Sequence, residues 1–149
     1  MEAMKQRIIY TNADGGVSVV VPAPGCTLEQ MKAAVPEGLD YEIVSVDDVP
    51  SDRTFRGAWF HDTTDAPQKV GVHLGKAKDI CHTRRRMKRD SEMVPFDDAI
   101  AKKIPGKGNP QELENARQVI RDKHARIQTE IDSAVTENDL KAIIDREEL

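Results

Sequence analysis

Aromatic side chains are few in this chain: one tryptophan, two tyrosines and three phenylalanines among 149 residues. Large rings bury the most area per residue, so their scarcity limits the core to a modest, mainly aliphatic one. Cysteine is scarcer still. Cys26 and Cys81 lie far apart in sequence with no paired spacing, which argues against a disulfide framework and for reduced thiols in a cytosolic protein. No apolar stretch reaches the roughly 18 residues that a membrane-crossing helix needs. The first residues lack a basic block followed by an apolar one, so no signal peptide is expected either. Nor is there a large excess of one charge: 22 Lys and Arg stand against 26 Asp and Glu. A formal charge of −4 argues against a protein that coats nucleic acid over its whole surface.

What the chain does have is charge, unevenly placed. Apolar residues make up 38% and charged residues 32%, so the surface is highly ionised around a small core. Between Lys76 and Asp90 there are seven bases against two acids; from Asp132 onward there are six acids against two bases. A basic helix and an acidic terminal helix in one chain are natural partners for each other, or for oppositely charged proteins.

The first 70 residues read as a small α+β unit. Arg7 to Tyr10 and Gly16 to Val21 are β-prone, and Asp14-Gly15 between them is a hairpin signal, because glycine accepts positive φ. Pro22 and Pro24 end the second strand. Thr27 followed by Gln30 predicts a capped helix carrying Leu28, Met31, Ala34 and Val35, stopped by Pro36 and Gly38. Tyr41, Ile43, Val44 and Val46 predict a third strand. Asp47 to Asp52 reads as a turn, and Thr54 to Phe60 as a fourth short strand or an irregular arm. His61 to Gln68 is polar and reads as a loop or linker.

Residues 71–149 read as helical. Leu74, Ala77, Cys81 and Met87 fit one apolar stripe. Pro95 predicts a break, with a separate short helix from Phe96 to Ile104 and a loop through Pro105 and Gly108. Asn109-Pro110 opens the longest helix, with Leu113, Ala116, Ile120, Ile127, Ile131 and Ala134 at helical spacing. Thr136 and Asp139 open a last helix with Leu140, Ile143 and Ile144 inside.

Reaction chemistry finds no foothold. His61, His73, His82 and His124 form no metal-binding spacing, and Cys81-His82 point about 100° apart on a helix. Asp47-Asp48 and Asp97-Asp98 are adjacent acids, which suit a turn and a helix first turn better than acid-base catalysis. No phosphate-binding glycine loop or nucleophile elbow is present. We therefore nominate no catalytic residue, metal ligand or cofactor. Two strings suit binding instead. One holds Arg53, Phe55, Arg56, Trp59 and Phe60, which read either as a capped turn with aromatics packed on the small sheet or as a docking surface, since such residue types dominate protein-protein hot spots. The other holds Arg84, Arg85, Lys88 and Arg89, which suit an acidic partner or, alternatively, phosphates.

Three segments together resemble small proteins encoded by tailed bacteriophages and prophages among their virion and tail-fibre genes. They are Arg7-Ile8-Ile9-Tyr10 through Gly15-Gly16 to Pro22, Val49-Pro50-Ser51-Asp52-Arg53-Thr54-Phe55-Arg56 with Ala58-Trp59, and Lys76-Ala77-Lys78-Asp79-Ile80 with Arg84-Arg85. The helical half is also loosely similar to phage tail assembly chaperones, through its arginine-rich helix, Pro95 to Asp97, and Arg117-Gln118 with Arg121-Asp122. The resemblance implies a non-enzymatic virion or tail-assembly protein that binds other phage structural proteins in the tail, fibre or neck, or copies of itself. It would be found in the virion or in the host cytoplasm during assembly. The alternative is a small nucleic-acid-associated phage protein working through the basic helix.

Overall fold

A computed structural model describes residues 4–64, 68–102 and 109–149. The fold is α+β: a small antiparallel sheet region followed by long helices. The chain divides into two compact units, Met1–His73 and Leu74–Leu149.

The first unit is built on a three-stranded antiparallel sheet in the order β2-β1-β3, with β1 at Gln6–Thr11, β2 at Val17–Val20 and β3 at Tyr41–Ser45. The β1–β2 connection is tied by Asn12. Its Oδ1 accepts from the backbone N–H groups of Asp14 and Gly16, and Gly15 takes φ of 80°. Asparagine and glycine are the residues such a loop asks for. Helix α1, Leu28–Ala33, starts at the expected capping box: Thr27 Oγ1 accepts from the Gln30 N–H, and the Gln30 side chain accepts from the Thr27 N–H. Ser45 and Asp48 form a second capping box on a one-turn 3₁₀ helix, which accounts for the Asp47-Asp48 pair as turn residues.

A second small sheet completes this unit. β4, Trp59–His61, pairs antiparallel with β5, Val70–Val72, in the register Trp59 with Val72, Phe60 with Gly71 and His61 with Val70. The segment expected to be a loop or linker therefore joins two paired strands, as a loop. Asp65 and Pro67, on which part of that expectation rested, fall outside the described residues. The expected boundary after residue 70 moves to His73, because β5 belongs with β4. Alternation puts Trp59, Val70 and Val72 on one face of the hairpin, where they pack with Ile9, Val17, Val19 and Val44 of the larger sheet. On the other face Phe60 covers Gly71 so closely that a Cβ there would sit 2.5 Å from the ring.

The second unit is three helices: α2, Leu74–Lys102; α3, Pro110–Ser133; and α4, Glu137–Glu147. Each packs on the other two. Asn109 with Glu112 and Thr136 with Asp139 make capping boxes at the starts of α3 and α4, and Pro110 occupies the first turn where its missing N–H costs nothing.

Two expectations fail in α2. Pro95 does not end it; the helix continues for seven residues to Lys102. Tertiary contacts on the far side hold it: Ala99 is buried, and Asp97 is paired with Arg117 of α3 at 2.9 Å. The Asp97-Asp98 pair accordingly lies within a helix, not in a first turn. Met87 is also not part of the buried stripe, being 67% exposed. The inner face of α2 runs through Ala77, Cys81 and Arg85 toward Glu92 and Ala99. Charged side chains occupy its middle, and an apolar stripe alone does not trace it. The end of the expected second helix, Ile104, and the following Pro105-to-Gly108 loop lie outside the described residues.

An interior proline deprives the carbonyl four residues back of its donor and costs a helix about 3 kcal/mol. Pro95→Ala is expected to raise the thermal midpoint of the protein, read by far-UV circular dichroism. A lowered midpoint would mean that a proline-shaped bend is needed for α2 to reach α3.

Candidate binding surfaces

Phe55 and Trp59 are each only 1% exposed. Burial takes both out of direct contact with a partner, so of the two expected roles, docking and core, these two residues take the core one. They instead support what is outside them. Asp52 Oδ1 accepts from the Thr54 N–H and hydroxyl at 2.9 and 2.6 Å. Tight i to i+3 bonds follow, from the Arg56 N–H to the Arg53 carbonyl and from the Ala58 N–H to the Phe55 carbonyl. In such a turn residues i and i+3 eclipse one another. Arg53 and Arg56 thus project on the same side, with guanidinium carbons 5.9 and 4.5 Å from the centre of the Trp59 ring. Both are cation–π distances. Burial, and then the charge of Arg53, push the Arg56 pKa down. Phe60 is half-buried over Gly71.

This turn walls a cleft of about 710 Å³. Val19, Val21 and Val49 give it an apolar side; Arg7, Arg53 and Arg56 give it charge, against Asp47. Arg7 donates to the carbonyls of Met4 and Gln6. None of the three arginines forms an ion pair with a carboxylate among the described residues.

The basic run is divided by the helical packing. Arg85 is buried at 5% exposure with its Nε lacking a partner among the described residues, so it cannot meet a ligand. Lys88 Nζ donates to the backbone carbonyls of Glu147 and Glu148, at 2.6 and 3.2 Å, at the C-terminal end of α4. Lys78 donates likewise to the Asp132 carbonyl near the end of α3, at 2.8 Å, and His82 Nε2 bonds the Asp132 carboxylate. Lysines suit these positions because the last carbonyls of a helix lack donors and carry the negative end of its dipole. Arg89 pairs with Asp90. Of these four bases only Arg84, half-buried, lies outside the core without an ion pair among the described residues, next to the exposed Arg86.

Between α2 and α3 lies a polar cluster that sequence reading missed. Glu92 accepts from Lys123 Nζ at 2.7 Å through one oxygen and bonds His124 Nε2 at 2.9 Å through the other. His124 is 1% exposed. Its place was signalled only by spacing, since it lies four residues after Ile120 and three before Ile127. Burial works to raise the Glu92 pKa, but the hydrogen bonds from Lys123 and His124, with their charges, outweigh it and hold the carboxyl below the ordinary range. The ionised carboxylate only accepts, so Nε2 of His124 carries the proton.

Neither cysteine is paired, and burial pushes the Cys81 thiol up in pKa. Among the described residues no three of His, Cys, Asp and Glu could together hold a metal ion, and no helix is long and apolar enough to cross a membrane. The chain matches no protein-family model, no curated protein and no solved structure.

Two outcomes are expected. Trp59→Ala should cost about 3–5 kcal/mol, as deletion of a buried indole does, seen as a lowered denaturation midpoint. Glu92→Gln should lower the thermal midpoint at neutral pH. A depressed carboxyl contributes stability that is complete above its unfolded value near 4.5 and is lost as pH falls through the folded value. The gap between the two proteins should therefore narrow below about pH 4.5 and close at lower pH. A gap that stays constant would assign the loss to packing.

Proposed function

We propose that this protein is a non-enzymatic component of a tailed-phage virion, or of the pathway that assembles its tail and fibres, and that it works by binding other phage proteins. The resemblance of the β-hairpin, the Ser51-to-Trp59 string and the basic helix supports the phage setting. The observation that carries the binding role is the outward face of α2. Met87 and Val94, 67% and 52% exposed, stand two turns apart on it, with Arg84 one turn before Met87. Beside them a shallow cleft of about 390 Å³ runs past Ser91 to Leu149. An exposed methionine beside a half-buried arginine, on a helix of 29 residues about 44 Å long, is what protein interfaces select.

Nucleic-acid binding through this helix is the competing reading. It draws on too few cations: Arg85 is buried, Lys88 is bonded to carbonyls and Arg89 is paired, which leaves Arg84 and Arg86. A protein held mainly by phosphates commonly makes about 6–10 such contacts.

Mass spectrometry of purified, nuclease-treated particles is the direct test. The expected result is the protein at fixed stoichiometry in particles, or bound to a tail or fibre protein in infected lysate. A doubly substituted Met87→Glu, Val94→Glu protein should fold with unchanged helicity and lose that association. Absence from both particles and tail-protein complexes, with salt-sensitive retention on DNA, would overturn the reading in favour of nucleic acid.

A further inference from the structure

We propose that the cleft beside Trp59 is a second binding site, and that it takes an acidic, partly apolar peptide segment of a partner protein. The inference rests on the reading that this protein works by binding other proteins, and it names the chemistry of one such partner. Three observations converge on it.

The first is an uncompensated charge. Arginines of the helical unit are largely paired: Arg117 with Asp97 and Glu114, Arg121 with Glu114, and Arg126 and Arg146 each with Glu130 and Glu147. In the cleft, Arg7, Arg53 and Arg56 face one carboxylate, Asp47, and none of them forms an ion pair with it. A protein with a formal charge of −4 thus keeps a local positive surplus in this cleft, which three arginines line. Two guanidiniums over one indole repel each other, and a carboxylate between them relieves that repulsion while each offers it a two-pronged donor.

The second is pre-organisation. The Asp52 to Thr54 bonds and the i to i+3 bonds fix the turn, and the cation–π contact of Arg56 with Trp59, at 4.5 Å, restrains that side chain. Less side-chain freedom is then lost on binding.

The third is the apolar part of the lining. Val21 is 64% exposed and lines the cleft with Val19 and Val49. Valines and arginines lining one cleft favour a peptide that carries both acidic and aliphatic side chains. It does not favour a nucleic acid, whose bases would need an open aromatic face. The Trp59 ring is buried.

Trp59 is the chain's single tryptophan, so its emission reports directly on the cleft. The full-length protein would be titrated with a synthetic peptide alternating glutamate and leucine, then with the same peptide carrying glutamine for glutamate, with inorganic phosphate, and with a single-stranded oligonucleotide. The expected result is a saturable emission change with the glutamate peptide alone, weakening as salt rises. Arg53→Gln should weaken it about tenfold or more, as loss of a charge-assisted pair does. Arg53 is exposed, so that variant should keep the parent melting temperature. Arg56→Lys, which keeps charge and loses the fork, should fall between. Equal binding of the glutamine peptide, indifference to Arg53→Gln, or a stronger Arg53-dependent response to phosphate or oligonucleotide would overturn the proposal. Lost peptide binding with the protein still stoichiometric in particles would overturn the cleft alone. Retained peptide binding with the protein absent from particles and tail complexes would overturn the phage reading alone.

Discussion

Glu92 takes one hydrogen bond on each oxygen, from two neighbouring residues of another helix, and this fixes how α2 meets α3. A shift of one residue along either helix turns the partners by about 100° and leaves a partly buried carboxylate facing apolar groups. The cluster follows from the shortage of large apolar side chains. With 38% apolar residues and few aromatics, three helices cannot close over aliphatic seams alone. Arg85, Lys88, Glu92 and His124 therefore enter the packing, and each fixes a register at some cost in desolvation. Small apolar residues, Ala77, Cys81 and Ala99, fill the places where α2 must approach its neighbours closely.

The N-terminal unit meets the same shortage differently. Its only tryptophan forms the centre of a small aliphatic cluster, and arginines close the exposed side of that ring in place of another hydrophobe. The long stems of arginine can cover apolar surface while their heads stay in water. The group that protects the core is in this way the group available for recognition.

Much of the local structure was legible. The capping boxes at Thr27, Asn109 and Thr136 rest on side-chain chemistry three residues apart, and the Asn12-to-Gly16 loop on backbone freedom, so short-range reading finds them. The α+β class followed from those elements. What escaped depends on partners distant in sequence. Val70 to Val72 is too short to announce a strand and is one because β4 pairs with it. Pro95 signals a break that contacts from Ala99 and Asp97 override. The α2 stripe was misjudged at Met87 because its inner face carries charge, and nothing local to His124 announces its bond to Glu92, 32 residues away. In the two strings nominated for binding, residue type did not tell Phe55 and Trp59, which are buried, from Arg53 and Arg56, which are not; nor did it separate Arg85 from Arg84.

The two lysines of α2 that cap other helices lie ten residues apart, about 15 Å along the axis and roughly 80° apart around it. That offset lets one rod hold the tail ends of two different helices, with Lys78 at α3 and Lys88 at α4. It also makes the spacing a fixed gauge. Sequence drift between these lysines can exchange side chains freely on the outer face, whereas gaining or losing a single residue would swing one ammonium off its carbonyls. Length between residues 78 and 88 should consequently be kept among descendants of this chain far more strictly than identity.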